Sequence, residues 1–311
     1  MTSRVPWASV SLLASDLRQF APWYAGALCV TVVFGVGIFL WGWKATRGTT
    51  LTGVWMWALF SFLSVAGVEG ALLWNNSTAS TSFNEALRYL AAVTTFCPIM
   101  AQLGAKRPQV QVWPLVVASL WVILCLPAGE FLLLKQGALM EISSARSWFL
   151  VVLSLVGLCN NLPNRFWPAV LLLVCAQTLL LYPQLPGSTD LLHLNHSVLW
   201  ALVLIPGAAL LHILGWPAER TCSESDRLWF DFRDHYGMLW ALRLAQRVNE
   251  DQQHKGTVLG WSGFRSHASE PGSEIDLNDP SVRQFRSLLT RFVSAQWLAQ
   301  RVANSREAKP S

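Results

Sequence analysis

Charge is scarce in this chain. Asp, Glu, Lys and Arg make up 13% of its 311 residues, about half the share of a soluble globular domain. The shortage is one-sided: residues 1–216 hold 10 basic and 6 acidic side chains, whereas residues 217–311 hold 13 and 12. Apolar sequence takes its place, 53% of the chain, in runs longer than a soluble helix needs. That excludes a single water-soluble core, along with collagen-like, disordered and disulfide-scaffold readings. Paired cysteines are lacking too. Cys29, Cys97, Cys125, Cys159 and Cys175 sit in apolar runs, where a thiol acts as a small hydrophobe, and only Cys222 is in polar sequence. With no C-x-x-C there is neither a zinc spacing nor a thioredoxin-like motif, and a lone polar thiol suits a reducing compartment. A Walker loop, G-x-S-x-G, H-E-x-x-H and G-x-G-x-x-G are all missing, as is a convincing internal repeat. The apolar stretch from Val5 to Leu13 is broken and has no A-x-A site behind it, so no cleavable signal peptide is read. The net charge of +5 divides into +4 before residue 217 and +1 after it. No basic patch remains for a phosphate backbone, and nucleic acid is not expected as a partner.

What is present is membrane-spanning sequence. A hydrocarbon core of about 30 Å takes roughly 20 apolar residues as helix, and seven stretches approach that length: 22–43, 51–74, 86–103, 110–134, 147–162, 166–184 and 197–216. Trp23, Tyr24, Trp41, Trp43, Trp74, Trp113, Trp148, Trp167, Tyr182 and Trp216 mark many of their ends, where amphipathic rings prefer the headgroup layer. The fifth stretch is the weakest, because Asn160, Asn161 and Asn164 follow closely on Leu158. Six spans with a re-entrant hairpin is the alternative. With seven, one side collects Lys44, Arg47, Lys106, Arg107, Arg165, Arg220 and Arg227, and the other collects Arg4, Arg18, Arg88, Lys135 and Arg146. The margin is thin. The connector 185–196, which has Asp190, His193 and His196 but no Lys or Arg, tips the assignment to amino terminus outside and tail in the cytoplasm. Pro206 with Gly207 in the last span, and Pro114 with Pro127 in the fourth, are places where the helical ladder can break, as it does at transport sites.

The sequence therefore divides into an interfacial segment 1–21, a transmembrane bundle 22–216 and a cytoplasmic tail domain 217–311 in an all-α fold. In the tail, Ser223 followed by Asp226 is a variant capping box. Trp229, Phe232, Tyr236, Trp240 and Leu244 then recur every three or four residues, predicting one amphipathic helix to Val248. This aromatic stripe serves as a docking face, onto the tail's own core or onto the headgroup layer. Val258 to Phe264 reads as one short strand. Asp279 with Pro280 starts a second helix striped by Val282, Phe285, Leu288, Leu289 and Phe292, and a final short helix follows Ser294. About 85 ordered residues give only a marginal core, so docking onto the membrane or a partner subunit is expected.

The strings LWFDFRDHYGMLWALRLAQRVNE and RSLLTRFVSAQW in the tail, with FCPIMAQLGAKRP at residues 96–108, resemble a group of uncharacterised polytopic membrane proteins of planctomycete bacteria. The resemblance covers most of the chain. It implies a bacterial membrane protein and carries over no chemistry.

Ionisable groups inside spans are costly and are functional candidates by default. Glu69 late in the second span and Glu130 late in the fourth reach the same outer half of the bilayer. Arg88, Arg146, His193 and His196 lie at that side too. Glu69, Glu130, Arg88, His193 and His196 form a candidate ion- or ligand-binding cluster, and the bland alternative is Glu–Arg pairing that fixes the bundle. His193 and His196 with Asp190 or Glu69 have the donor types of a metal set, but a pair in a short connector is weak, and the reading is of no metal and no cofactor. His212 reads as a hydrogen-bonded bundle histidine, and Asp231 with His235 as a surface pair at i and i+4. The resulting expectation is a non-enzymatic multispan protein of the bacterial inner membrane, transport-related or a structural subunit, its tail docking a partner subunit. A membrane enzyme or cofactor-handling protein using the outer Glu and His cluster is the alternative.

Overall fold

The computed structural model describes residues 7–74, 81–106, 112–134, 142–187, 197–215, 223–250, 257–266 and 279–307, with side chains from 22 to 301. Among the described residues eight α-helices build the apolar part: α1 (Trp7–Thr46), α2 (Thr52–Trp74), α3 (Thr81–Val93), α4 (Cys97–Leu103), α5 (Trp113–Leu134), α6 (Ser144–Asn161), α7 (Trp167–Leu181) and α8 (Ser197–Leu214). A 3-10 turn, Thr94–Phe96, joins α3 to α4. Among the described residues six stretches are long and apolar enough to cross a membrane: Pro22–Thr46, Thr52–Trp74, Ser82–Leu103, Trp113–Leu134, Trp167–Gln184 and Ser197–Leu214. The membrane-embedded, helical reading holds on these. The fifth predicted stretch forms α6, which is not among the six, and its sequence shows why. Ser144, Arg146, Ser147, Ser154, Asn160 and Asn161 dilute its 18 residues.

The interruption of the bundle is not where the prolines of the fourth and last spans suggest. Pro127 and Pro206 lie inside continuous helices. The break falls before Pro98, whose missing N–H cannot join the ladder. Thr94 and Thr95 turn their hydroxyls back to the carbonyls of Ala91 and Ala92, both at 2.6 Å. Their own carbonyls accept from Ser61 of α2 and from Gln177 of α7, the latter at 3.1 Å. Freed backbone groups at membrane depth are thus satisfied by neighbouring spans.

The tail contains α9 (Glu224–Tyr236), α10 (Met238–Glu250), the hairpin β1 (Thr257–Gly260) and β2 (Gly263–Ser266), α11 (Pro280–Leu289) and α12 (Ala295–Glu307). Ser223 and Asp279 cap as expected, accepting from the amides of Asp226 and Ser281. Two expectations are corrected. The predicted single strand is an antiparallel pair, Thr257 opposite Ser266 through Gly260 opposite Gly263, with Trp261 and Ser262 as its turn. The predicted helix to Val248 is two helices, because Gly237 turns to φ +84° between them. A Cβ there would also strike the Asn160 side chain, so both conformation and space select glycine.

Trp229, Phe232, Tyr236 and Trp240 are all buried, in one cluster with Val282, Phe285, Leu289 and Phe292. That cluster also takes in Leu51 and Ala105 from two loops of the apolar part. The tail is therefore packed onto one end of the bundle, called the tail side below. Thr50 donates its amide to the Phe292 carbonyl at 2.9 Å, and Ser294 donates to Gly48 at 2.7 Å. The Tyr236 hydroxyl lies 3.1 Å from Thr50 Oγ1, and the Trp240 indole donates to the Gln102 carbonyl at 3.1 Å.

Candidate functional site

The two carboxylates of the predicted cluster, Glu69 and Glu130, fall into separate pairs. Arg88 grips Glu69 with two parallel bonds, Nε to Oε2 at 3.0 Å and Nη2 to Oε1 at 3.1 Å, and the Tyr24 hydroxyl donates to Oε1 at 3.0 Å. Glu69 is 4% exposed. A bidentate guanidinium and a phenol satisfy this carboxylate, which suits a clamp between α1, α2 and α3. Glu130 meets a different cation, Arg146, at 3.6 Å, and both side chains are nearly half exposed. Such a pair contributes about 0 to 1 kcal/mol. His193 and His196 lie outside the described residues. Among the described residues no three His, Cys, Asp or Glu side chains gather as a metal set.

A different set of residues converges at the tail side. The polar end of α6 and the loop after it, which weaken that helix as a span, are the surface on which the tail sits. Asn160 Oδ1 accepts the Leu239 amide at 3.0 Å, meeting one of the free amides at the start of α10. Gln102 donates to the His235 carbonyl at 3.1 Å and to Asn161 Oδ1 at 3.2 Å. Next to this amide seam Arg165 bonds Asp231 at 3.0 Å and reaches Asp234 at 3.3 Å. Arg301 of α12 takes the other Asp231 oxygen at 3.0 Å, and Arg233 takes Asp234 at 2.9 Å. Asp231 and Asp234 are buried. Asp231 and His235 are thus not a surface pair, since the bundle covers that face of α9.

Beside the network lies a cavity of about 480 Å³, within the usual range for a small-molecule site. Its depth is apolar, walled by Phe39, Trp55, Leu173, Ile205 and Ala209 from four spans, together with Ile99 just beyond the Pro98 break. Its tail-side pole is polar, with Gln102, Asn161, Arg165, His212, Asp231, His235 and Arg301. The Phe166 ring lies 4.3 Å from that of His212 and 5.2 Å from that of His235, and the two imidazoles are 5.4 Å apart. His235 Nδ1 sits 2.7 Å from the Asp231 carbonyl. That contact makes Nδ1 the donor of the neutral ring and leaves Nε2 as an acceptor.

Burial pushes His235 down to about 4, and the guanidiniums of Arg165 and Arg301 add to the effect. The unfolded chain takes up this proton below about 6.5, the folded one only near 4. His235 therefore favours folding fully above pH 6.5, and stability falls as the pH drops from 6.5 towards 4. Asp234 acts in the opposite sense: its burial outweighs Arg233 and Arg165 and raises its carboxyl, so proton uptake there favours the folded state on acidification. The diagnostic is accordingly a difference. His235→Asn, which keeps a donor for Asp231, is expected to lose less thermal stability than wild type between pH 6.5 and 4.5, read as melting temperature in detergent.

No protein-family model matches the chain, and no curated protein or solved structure is detectably similar to it.

Proposed function

We propose that this protein is a non-enzymatic, transport-related subunit of a membrane complex that holds one amphiphilic small molecule between its spans and its tail. One observation carries the reading: a single cavity joins apolar walls from the spans to a pole of guanidinium, imidazole and amide groups. An aliphatic chain fits the first part and a polar head the second. The charges at the pole neutralise one another, Arg165 with Asp231 and Asp234, and Arg301 with Asp231. Such a pole orients a ligand. The outer Glu69 and Glu130 do not line this cavity, so the reading of an outer catalytic cluster gains no support from it.

The same reading takes α6 as a seventh span. Its start, at Arg146, pairs with the end of α5, and its other end, at Asn160, meets the tail. At 1.5 Å per residue its 18 residues reach about 27 Å. Seven spans put the termini on opposite sides, and the connector 185–196, without Lys or Arg, supports an amino terminus outside and a tail in the cytoplasm; the resemblance to planctomycete proteins implies that the membrane is a bacterial one. Single cysteines at Ser188 and Ser273 should then label from opposite sides, and labelling of both from outside would overturn this topology. The aromatic stripe is spent within the chain, which leaves exposed Leu239, Leu242 and Trp261 to meet a partner subunit.

The ligand test uses the whole protein in detergent with a lysophospholipid as probe. Wild type is expected to gain several degrees in melting temperature. Ala209→Trp, which fills the apolar wall, should remove the gain while the tail keeps its resistance to protease. An unchanged gain in that variant would refute the cavity as the site.

A further inference from the structure

A second cavity, of about 560 Å³, lies on the tail side away from the first. Its floor is Leu103, Leu244, Leu288 and Phe292, and four cations border it: Lys106 after α4, Arg243 and Arg247 on α10, and Arg291 after α11. Among the described residues no carboxylate lines it. Arg247 has Glu250 at 3.5 Å, whereas Lys106, Arg243 and Arg291 have no acidic partner among the described residues. Lys106 and Arg243 are drawn over one ring, that of Trp240, at 6.0 and 5.3 Å. Two like charges on one indole repel each other, and an anion between them would remove that cost.

The height of this cavity identifies the anion. Its wall includes Trp113, the first residue of α5, whose indole donates to the Met100 carbonyl at 2.8 Å. Beside it Val112 and Leu115 expose apolar surface, as lipid-facing residues do. The cavity therefore sits where a span leaves the hydrocarbon, bounded by a tryptophan and by cations from the tail. We propose that it binds the headgroup of an anionic phospholipid of the tail-side leaflet, its phosphate held by Lys106, Arg243 and Arg291. This site does not involve the first cavity, and its failure would leave the amphiphile reading intact.

The test compares the full chain in nanodiscs of phosphatidylcholine with nanodiscs doped with phosphatidylglycerol, reading bound lipid by native mass spectrometry. Phosphatidylglycerol is expected to be retained preferentially. Each cation removed near the surface should weaken that retention about five-fold, so Arg243→Gln with Arg291→Gln should weaken it about 25-fold. Both side chains are exposed, so the fold survives, and an unchanged melting temperature in phosphatidylcholine checks this. Equal retention of the two lipids, or equal retention by wild type and the double variant, would overturn the proposal. Inorganic phosphate is the second arm: if it displaces bound phosphatidylglycerol at micromolar concentration, the site belongs to a free phosphate and the lipid assignment is wrong.

Discussion

Replacing Arg165 with Met is expected to loosen the tail from the bundle at a cost of about 3 kcal/mol, the lower end of what removing one partner of a buried ion pair costs. Arg165 is the cation contributed by the bundle side to Asp231 and Asp234. Without it Asp231 keeps Arg301, which is 42% exposed, and Asp234 keeps Arg233 of its own helix. Neither replaces the link to the loop before α7. Limited proteolysis should cut the tail faster in Arg165→Met than in wild type. Adding Asp231→Asn and Asp234→Asn should restore part of the resistance, since the stranded charges are then gone. Equal cleavage of wild type and Arg165→Met would show that the amide seam alone holds the tail.

Trp229→Ala should be costlier still. The indole is 1% exposed, packs against Phe232 and Phe285 with ring centroids 6.4 and 6.0 Å away, and reaches the Trp261 carbonyl at 3.3 Å. Large aromatic truncations in a packed core cost about 3 to 5 kcal/mol. A domain of this size has little more than that to lose. The expected result is a tail open to protease on spans that still insert. Leu242→Ala, at a position more than half exposed, should stay within about 0.5 kcal/mol of wild type. If Trp229→Ala behaves like Leu242→Ala, the packing described for α9 is wrong.

The parts of this architecture governed by one local rule were readable from the sequence. Long apolar runs located the six apolar spans, and the caps at Ser223 and Asp279 follow from side-chain oxygens that meet free amides. The period of Trp229, Phe232, Tyr236 and Trp240 located a buried face. What escaped depends on two distant segments meeting. Asn160, Asn161 and Asn164 look like flaws in a span until the tail covers them. Asp231, Asp234 and His235 lie off the aromatic stripe, where periodicity alone assigns solvent, yet α9 is covered on two sides, by the tail core and by the bundle. The break at Gly237 has the same origin: nothing in the helical period stops at residue 237, and the turn exists because Asn160 occupies the space and caps α10. Pairing of Glu69 with Arg88 follows from the cost of a lone charge in a span, whereas the cavity at the opposite end is not legible, since its polar members come from five separate stretches of chain.

The backbone link between Gly48–Thr50 and Phe292–Ser294 bears on the order in which the protein is made. Thr49 and Val293 form an isolated antiparallel bridge, with the bonds of Thr50 and Ser294 on either side of it. One partner leaves the ribosome some 240 residues before the other. At about 5 to 20 residues per second that interval lasts roughly 12 to 50 seconds. Until it ends Leu51 lacks the tail surface that covers it, and so do Ala105, Asn160 and Arg165 from the moment each is made. The spans are then an unfinished assembly waiting for the tail, and a ribosome stalled between residues 220 and 290 leaves behind an inserted bundle with this seam open to chaperones and proteases.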